Sequence, residues 1–549
     1  MLEGLPAAGS DFYRGWRLRQ VTGGPEMVVQ SSSASWLGCH GAEQGGLAEG
    51  GVAELFTGEE APLVGARLLT GTRLGQVFPP LRLRLATTRA TNALLEGKGS
   101  RTAFFVTRGF ADLLAIGDQR RRDLFALEHP PRPCFTETVV EVGGRVAAGG
   151  EELEALDEQA VRSAAREVLG RGVRHAAVAL LHADLFPENE RCVGRWLLDE
   201  GFAHVSLSSE VAPFPKLLSR AQSAVANALL TGPVEAFIQG VSQPLAGSGG
   251  QVQVQMRTSA GGLEAAGRVR PKDRLISGPA GGAVGAAAVA KQMGFERVLT
   301  LDMGGTSTDV ARIESGMPGY RFVQRVAGME LLAPSVAIET VAAGGGSICR
   351  WTPSGLKVGP ESAGSNPGPA CYGKGGPLTV TDVNLLLGRF DPARAPIPLD
   401  TAASRERLRQ LHAEVGGELS EEELLQTLLG LAVEQMADAI RRISVAEGYE
   451  PSGYALLAFG GAGPQHACAV AERLGMSTVL VPAQAGILSA VGLDAALPER
   501  FTERSVGRAL EEVEKQLPEC LAEMEREAVA LLERDLGEAP ETGPPRVIV

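Results

Sequence analysis

Short apolar strands alternate with helical segments along most of this sequence, and that alternation constrains the fold more than any other feature. Residues 81–85 (LRLRL) alternate apolar and basic side chains with a period of two, which is typical of a half-buried strand. A short helical segment and the apolar strand RTAFFVT (101–107) follow, and the same order recurs through residues 157–211. The alternation predicts an α/β fold in which helices cover the faces of a sheet.

The chain has 549 residues, which is enough for more than one domain. The first 75 residues are rich in Gly and Ser and show little periodicity, and the helical pattern of residues 219–245 is interrupted near Gly232 and Pro233. We predict four regions: a poorly readable N-terminal region (1–78), a first lobe (79–270), a second lobe (271–498), and a helix with the start of a further domain (499–549).

Composition excludes several classes of protein. The net charge of −13 argues against a nucleic-acid-binding face, which would be basic. No apolar run reaches the roughly 18 residues of a membrane helix, and the N-terminus has no apolar core typical of a signal peptide. The seven cysteines are scattered and form no CxxC pair, so neither a zinc ribbon nor a disulfide framework is indicated. We therefore predict a cytoplasmic protein with reduced thiols and no membrane or nucleic-acid partner.

The segment DMGGTSTD (302–309) follows the apolar strand VLTL directly. Two glycines allow backbone N–H groups to approach an anion closely, and three consecutive hydroxyl side chains add donors. The carboxylate of Asp302 is placed to hold Mg²⁺ through water, and that of Asp309 to orient water or a threonine. The alternative is a tight hairpin whose polar side chains satisfy their own backbone.

Three further glycine turns are SGPAGG (277–282), VAAGGGSIC (341–349) and AFGGAGPQHA (458–467). A single turn of this kind is more often a packing feature, but four of them favour a site that handles phosphate. The P-loop, GxSxG and HExxH motifs are absent. His182 and His466 are candidates for a metal or ligand contact, with a core histidine as the alternative reading of each.

These motifs resemble the hydantoinase/5-oxoprolinase family. The resemblance covers residues 80–495 and rests on ATTRATNALLEGKGSRTAFFVTRGFADLLAIG, the four glycine turns, and VGPESAGSNPGPACYGKGGPLTVTDVNLLLGR (358–389). It implies the two-lobed ATPase fold of the actin/Hsp70/sugar-kinase type, in which each lobe contributes one phosphate hairpin to ATP. Members of the family couple ATP cleavage to the opening of a cyclic amide, relatives carboxylate ketones, and many are split into two subunits.

The resemblance also implies roles for individual residues. Predicted catalytic residues are Asp302, which would also bind Mg²⁺, Thr306 and Asp309. Predicted ATP contacts are Gly304, Gly305, Thr306, Ser307, Gly344, Gly345, Gly460, Gly461 and Gly463. Predicted contacts to a small-molecule substrate or between the lobes are Thr88, Thr91, Asn92, Arg108, Asp382 and Asn384.

The sequence departs from the family pattern at three places. No segment like DRGGTFTD, the first lobe's phosphate hairpin in the family, precedes Asp11. After Glu499 one acidic helix stands where the family continues into a β-rich domain. These two differences predict a first lobe without its opening hairpin and a chain truncated at both ends. Ala260 stands where many relatives carry Asp or Asn, which predicts a different substrate if that position contacts it.

The predicted function is ATP-dependent hydrolysis of a cyclic amide, of the 5-oxoproline or hydantoin class, through phosphorylation of the amide oxygen. A second, hydantoinase B-like subunit or domain and an oligomeric assembly are expected with it. Two alternatives stay open. The chain is the ATPase subunit of an acetone- or acetophenone-type carboxylase, or it is a non-catalytic, partner-binding remnant without a complete ATP site.

Overall fold

The computed structural model describes residues 9–547 except for 21–25, 34, 41–52, 121–123, 129–131, 249–251, 396, 417–418, 538 and 544. The strands are β1 Arg17–Gln20, β2 Met27–Ser32, β3 Leu37–His40, β4 Ala53–Phe56, β5 Leu81–Leu85, β6 Thr102–Thr107, β7 Thr138–Val142, β8 His175–Ala179, β9 His204–Leu207, β10 Val252–Arg257, β11 Leu263–Ala265, β12 Arg297–Met303, β13 Thr308–Glu314, β14 Met317–Pro318, β15 Tyr320–Val326, β16 Met329–Val336, β17 Ile338–Val341, β18 Ser347–Thr352, β19 Gly355–Ser362, β20 Ala455–Phe459 and β21 Val479–Leu480.

The helices are α1 Ala61–Thr70, α2 Arg89–Leu95, α3 Leu113–Ile116, α4 Glu158–Gly170, α5 Glu188–Glu200, α6 Ser208–Val211, α7 Leu217–Ser242, α8 Ser277–Gln292, α9 Val380–Leu386, α10 Thr401–Val415, α11 Glu421–Ile443, α12 Gly463–Arg473, α13 Leu488–Ala495, α14 Leu510–Val513 and α15 Leu517–Leu536. Among the described residues, no helix is both long enough and apolar enough to cross a bilayer.

The region predicted as the second lobe (271–498) contains a mixed sheet in which β12 is central. It pairs in antiparallel fashion with β13 and in parallel fashion with β20, and β13 and β20 pair in turn with β17 and β21. Leu299 and Leu301 on β12 pack into the same core as the long helix α11, whose inner face is fully buried. Because β12 and β20 are parallel, their carboxyl ends and the glycine turns that follow them lie at one edge of the sheet.

The first lobe contains two smaller sheets. Strands β7, β6, β8 and β9 form a parallel sheet, and all six residues of β6 are buried, as expected of a strand covered on both faces. Strand β5 pairs in parallel with β10, which pairs with β11 in antiparallel fashion. Together with the second lobe, these sheets confirm the predicted α/β class.

The N-terminal region, which showed little pattern in the sequence, contains a sheet. Strands β3, β2, β1 and β4 pair in antiparallel order. Its core is a cluster of buried aromatic and aliphatic side chains. The ring of Tyr13 makes T-shaped, edge-to-face contacts with Phe12 and with Trp16, beside Val29. The strands are too short for periodicity to reveal them, so the aromatic side chains were the readable signal.

Helix α7 is continuous through Pro233, so the predicted interruption there is wrong. Proline has no N–H, so it cannot donate to the carbonyl four residues earlier in the helix. That carbonyl, of Leu229, instead accepts the backbone N–H of Ser100 at 2.7 Å, and the Ser100 hydroxyl oxygen accepts the N–H of Gly232 at 3.2 Å. The loop before β6 therefore supplies the hydrogen bonding that keeps the helix intact.

Candidate active site

The turn between β12 and β13 presents unpaired donors at the edge of the second-lobe sheet. The N–H of Gly304 donates to the carbonyl of Ser307 at 3.0 Å, which closes the hairpin. Gly305 and Thr306 are exposed, and in the part of the chain that the structure describes their N–H groups have no acceptor. The same holds for the hydroxyls of Thr306 and Ser307. Such a concentration of free donors is suited to binding an anion.

Two carboxylates lie opposite each other beside this turn. Asp302 and Asp309 are paired residues in the β12–β13 ladder. Burial, and secondarily the charge of Asp309, raises the pKa of Asp302 to about 7. Burial also raises the pKa of Asp309, although the hydroxyl of Thr340 donates to its Oδ1 at 2.6 Å and acts in the opposite direction. The negative charge that these two carboxylates carry when ionised is therefore poorly compensated by their surroundings.

The carboxylate oxygens beside the turn are suitable ligands for a magnesium ion. Mg²⁺ is usually held by one or two carboxylates together with phosphate oxygens and water, rather than by a cage of protein ligands. Asp302 and Asp309 supply the carboxylates, and a cation between them would relieve their repulsion. Within the described residues, no group of three or more His, Cys, Asp or Glu side chains could hold a metal ion. His182 therefore belongs to no such group.

Two other glycine turns meet at the carboxylate of Asp302. Gly460 has a φ of +79°, and a Cβ on it would lie 2.5 Å from Oδ1 of Asp302. A Cβ on Gly282, in α8, would lie 3.0 Å from Oδ2 of the same side chain. A Cβ on Gly463 would lie 2.9 Å from the carbonyl oxygen of Leu301. Residues 277–282 form the start of α8 rather than the predicted turn, and both this segment and the turn at 458–467 need glycine because they pack against the end of β12.

The third glycine turn lies behind the hairpin. The N–H of Gly345 donates to the carbonyl of Gly304 at 3.0 Å, and a Cβ on Gly344 would lie 2.6 Å from the carbonyl carbon of Thr306. Thr381 holds this turn in place, because its N–H and its hydroxyl both donate to the carbonyl of Gly345 at 2.8 Å. The predicted ATP contacts of Gly344 and Gly345 stay predictions, and the contacts observed support the hairpin from behind.

Asp382 is fully buried, and its carboxylate accepts hydrogen bonds from neighbouring backbone and side-chain groups. Its carboxylate forms the capping box of α9 with Thr379. The donors are the N–H groups of Ala370, Cys371 and Thr379 and the hydroxyls of Thr379 and Ser404, at 2.7–3.1 Å. These contacts give Asp382 a structural role, and its contact with substrate stays a prediction.

Replacing Asp382 should therefore destabilise the fold. Asp382→Ala leaves several buried donors unpaired, and hydrogen bonds to a charged group contribute about 1.5–3 kcal/mol each, so a loss above about 3 kcal/mol is expected. Asp391→Ala is the matched control, because Asp391 is exposed and caps one N–H. Urea unfolding of the two variants measures the difference, and equal losses would contradict the assignment.

Asn384 and His466 form a buried pair between α9 and α12, with 3.0 Å between Nδ2 and Nε2. Burial, and then the charge of Arg389, lowers the pKa of His466 to about 4, so the imidazole is neutral at physiological pH. His466 is 0% exposed and Asn384 1% exposed. This geometry matches the core-histidine alternative, and the predicted substrate contact of Asn384 stays untested.

The predicted substrate-side residues of the first lobe fall in two places. The hydroxyl of Thr91 donates to the carbonyl of Leu275, which joins α2 to the segment before α8. Thr88, which directly precedes α2, and Asn92, within it, are both exposed. Arg108 lies elsewhere in the first lobe and forms an ion pair with Glu154. Thr91 therefore contacts the start of the predicted second lobe, the ion pair of Arg108 lies within the predicted first lobe, and the substrate contacts of all four residues stay predictions.

Several residues at the site were missed by the sequence analysis. Thr340 holds Asp309 and Thr381 holds the third turn, and although Thr381 belongs to the segment 358–389, no local pattern reveals either contact. The N–H of Ala363 donates to the carbonyl of Gly346 at 2.9 Å, and the N–H of Gly346 donates to the carbonyl of Gly305 in the hairpin. These bonds hold the exposed residues 364–367 beside the hairpin. That loop belongs to the segment 358–389 on which the resemblance rested, so the motif itself was the available signal.

Comparison with known proteins gives a consistent result. The profile of the hydantoinase/oxoprolinase family matches residues 220–500, and that of the hydantoinase/oxoprolinase N-terminal region matches residues 52–201. The 5-oxoprolinase of Saccharomyces cerevisiae is 38% identical over 483 residues, which cover 79% of this chain. The chain spans only 38% of the length of that relative.

Two solved structures share the fold. The ATP-dependent caprolactamase of Pseudomonas jessenii superposes with a TM-score of 0.72 at 28% identity, over 88% of this chain and 72% of that one. The nucleotide-free structure from a study of ATP-dependent acetone carboxylation by acetone carboxylase has a TM-score of 0.66 at 25% identity, over 83% and 68% of the two chains. These likenesses confirm the predicted fold class. With the glycine turns in place and both profiles matched in order, the chain belongs to the hydantoinase/oxoprolinase family.

Proposed function

We propose that the second lobe binds Mg²⁺·ATP at the β12–β13 turn, and that the enzyme to which this chain belongs hydrolyses a cyclic amide of the 5-oxoproline or hydantoin class. The observation that carries this proposal is the juxtaposition of unpaired N–H and hydroxyl donors with the partly buried carboxylates of Asp302 and Asp309. Phosphoryl transfer needs positioning and charge stabilisation more than covalent chemistry, and this edge of the sheet offers both.

The chemistry explains why such a reaction uses ATP. A small lactam resists hydrolysis because its amide is a poor electrophile and the opened ring closes again easily. ATP would supply a phosphoryl group to the amide oxygen, with release of ADP, and this would make the ring carbon more electrophilic. Water would then add to that carbon, the C–N bond would break as the nitrogen takes a proton, and a second water would hydrolyse the resulting acyl phosphate to the carboxylate and phosphate. In this scheme the N–H groups of Gly305 and Thr306 hold a phosphate, Asp302 holds Mg²⁺, and Thr340 orients Asp309.

The relatives support the substrate class and a partner. The names 5-oxoprolinase and caprolactamase both describe lactam hydrolysis, and one relative, 33% identical over 421 residues, is a caprolactamase subunit alpha. We therefore propose that this chain works with a second, hydantoinase B-like subunit or domain in an oligomer. The likeness to acetone carboxylase favours one alternative, the ATPase part of a ketone carboxylase.

Nucleotide hydrolysis assays test these proposals. The chain, alone and with its partner subunit, is incubated with Mg²⁺·ATP and either 5-oxoproline, hydantoin, or acetone with bicarbonate, and phosphate release is measured. The proposal expects release that depends on a cyclic amide. Release only with acetone and bicarbonate would favour the carboxylase, and absence of nucleotide binding by calorimetry would favour the non-catalytic alternative.

A further inference from the structure

A cavity of about 130 Å³ is lined by residues between 111 and 139, between 222 and 225 and between 327 and 329, none of which belongs to the β12–β13 turn. Its walls come from α3, the segment 132–139, α7, and the tight turn between β15 and β16. The first three belong to the predicted first lobe, and the β15–β16 hairpin reaches across from the second. The cavity is therefore lined by both lobes.

The cavity is mostly apolar. Val225 of α7 and Met329 of β16 are buried, and Leu114 and Phe135 are partly buried beside them. The one charged side chain in the lining, Arg132, donates to Oδ1 of Asp118 at 2.5 Å and is thereby neutralised. A ligand with a net charge would find no unpaired counter-charge in this lining.

A single amide group gives the cavity a directed donor. Gln222 is 5% exposed, and its Oε1 accepts the backbone N–H of Glu330 at 2.9 Å. That bond fixes the orientation of the amide, so Nε2 is the atom left for another partner. Among the described residues Nε2 has no acceptor, and it is not sealed from the cavity that Gln222 lines. An accessible donor in a mostly apolar wall offers a hydrogen bond to an acceptor that enters the cavity.

The volume fits one small ring. An engineered apolar cavity of about 150 Å³ binds benzene, so a space of this size accommodates a ring of five to seven atoms. The lining then specifies the rest of the ligand: an apolar ring, no net charge, and one acceptor directed at Nε2 of Gln222. Neutral lactams have this chemistry.

The cavity is separate from the proposed nucleotide site. Strand β16 has eight residues, so its ends are about 23 Å apart at 3.3 Å per residue. Met329 at its beginning lines the cavity, whereas Val336 at its end packs beside Ala280 and Ala283 of α8, near Asp302. We propose that this cavity is an accessory binding site for a neutral, ring-sized molecule with a carbonyl acceptor. The inference does not depend on the proposed function.

Cysteine protection tests the proposal on the intact chain. The thiol of Cys134 lines the cavity and is exposed, and Cys468 is an exposed thiol outside it. The chain is labelled with iodoacetamide in the presence of increasing ε-caprolactam or 2-pyrrolidinone, and the rate at each cysteine is followed by mass spectrometry. Saturating lactam should slow labelling of Cys134 at least fivefold and leave Cys468 unchanged. Equal slowing at both thiols, or none at Cys134, overturns the proposal.

Two variants and one ligand sharpen the result. Gln222→Glu keeps the acceptor for Glu330 but removes the donor, so the concentration of lactam that protects Cys134 should rise about tenfold. Val225→Phe fills the space by a different route and should abolish protection, while circular dichroism confirms that both variants are folded. 5-Oxoproline, which carries a carboxylate, should not protect. Undiminished protection in both variants would contradict the site.

Discussion

Asp302→Asn should lower Mg²⁺-dependent nucleotide hydrolysis by more than about 100-fold. Charge stabilisation by a bound metal contributes several kcal/mol to a transition state, and each 1.36 kcal/mol corresponds to a factor of about ten in rate. Asp302 is the carboxylate on which the glycine turns converge, whereas the neighbouring carboxylate of Asp309 is already held by the hydroxyl of Thr340. Phosphate release by the wild type and the variant, measured at saturating Mg²⁺ and ATP, gives the ratio.

The same substitution should stabilise the ligand-free protein at high pH. The folded-state pKa of Asp302, about 7, lies above the value of about 3.9 in an unfolded chain. Its contribution to stability is therefore complete below about pH 4 and is lost as the pH rises through 7. Urea unfolding should show the variant gaining on the wild type between pH 5 and pH 8, since titrating groups other than the neighbouring Asp309 cancel in the difference.

These opposite effects separate function from folding. Asp112→Asn is the matched control, because Asp112 is exposed and makes no capping hydrogen bond, so neither its turnover nor its pH profile should change. An Asp302→Asn variant that hydrolyses ATP at the wild-type rate would show that the metal role assigned to this carboxylate is wrong.

Gly344→Ala should disrupt the hairpin from behind. The new Cβ would lie 2.6–2.7 Å from backbone atoms of Gly305, Thr306 and Ser307, and backbone cannot move aside as a flexible side chain does. Overpacking of this kind costs about 1–3 kcal/mol of unfolding free energy. Because the displaced residues carry the free donors, affinity for a Mg²⁺·ATP analogue should also fall at least about tenfold.

Gly430→Ala provides the same chemical change without a clash. Gly430 lies inside α11, and a Cβ on it meets nothing within 4 Å. Alanine is favoured over glycine in a helix by about 1 kcal/mol, so this variant should be as stable as the wild type or more stable, with unchanged nucleotide affinity. Calorimetry and urea unfolding on both variants make the comparison. A Gly344→Ala protein with wild-type nucleotide affinity would contradict the supporting role of the third turn.

The parts of the site that the sequence predicted are those with a local signature. A buried strand that ends in an acid and two glycines, as at Asp302, identifies itself without tertiary information. The pairing of β12 with β20 then brings the turn at Gly460 to the same place, since parallel strands end at the same edge of a sheet. The order of the motifs along the sequence therefore predicted that the turns after β12 and β20 lie together.

Other features depend on contacts that no local pattern encodes. Whether Gly344 touches a ligand or supports the hairpin is decided by the direction of approach, which only the packed structure shows. Asp382 is an intermediate case, because the spacing Thr379-Val-Thr-Asp382 is a capping-box pattern that would have predicted its structural role. The continuity of α7 through Pro233 rests on Ser100, which is more than a hundred residues away in the sequence.

A structure of the chain with Mg²⁺ and a nonhydrolysable ATP analogue shows where the nucleotide binds. We expect a phosphate within hydrogen-bond distance of the N–H groups of Gly305 and Thr306, and a magnesium ion bound to Asp302 directly or through water. A nucleotide bound elsewhere on the chain, with the Gly304–Ser307 turn free of phosphate, would contradict this expectation.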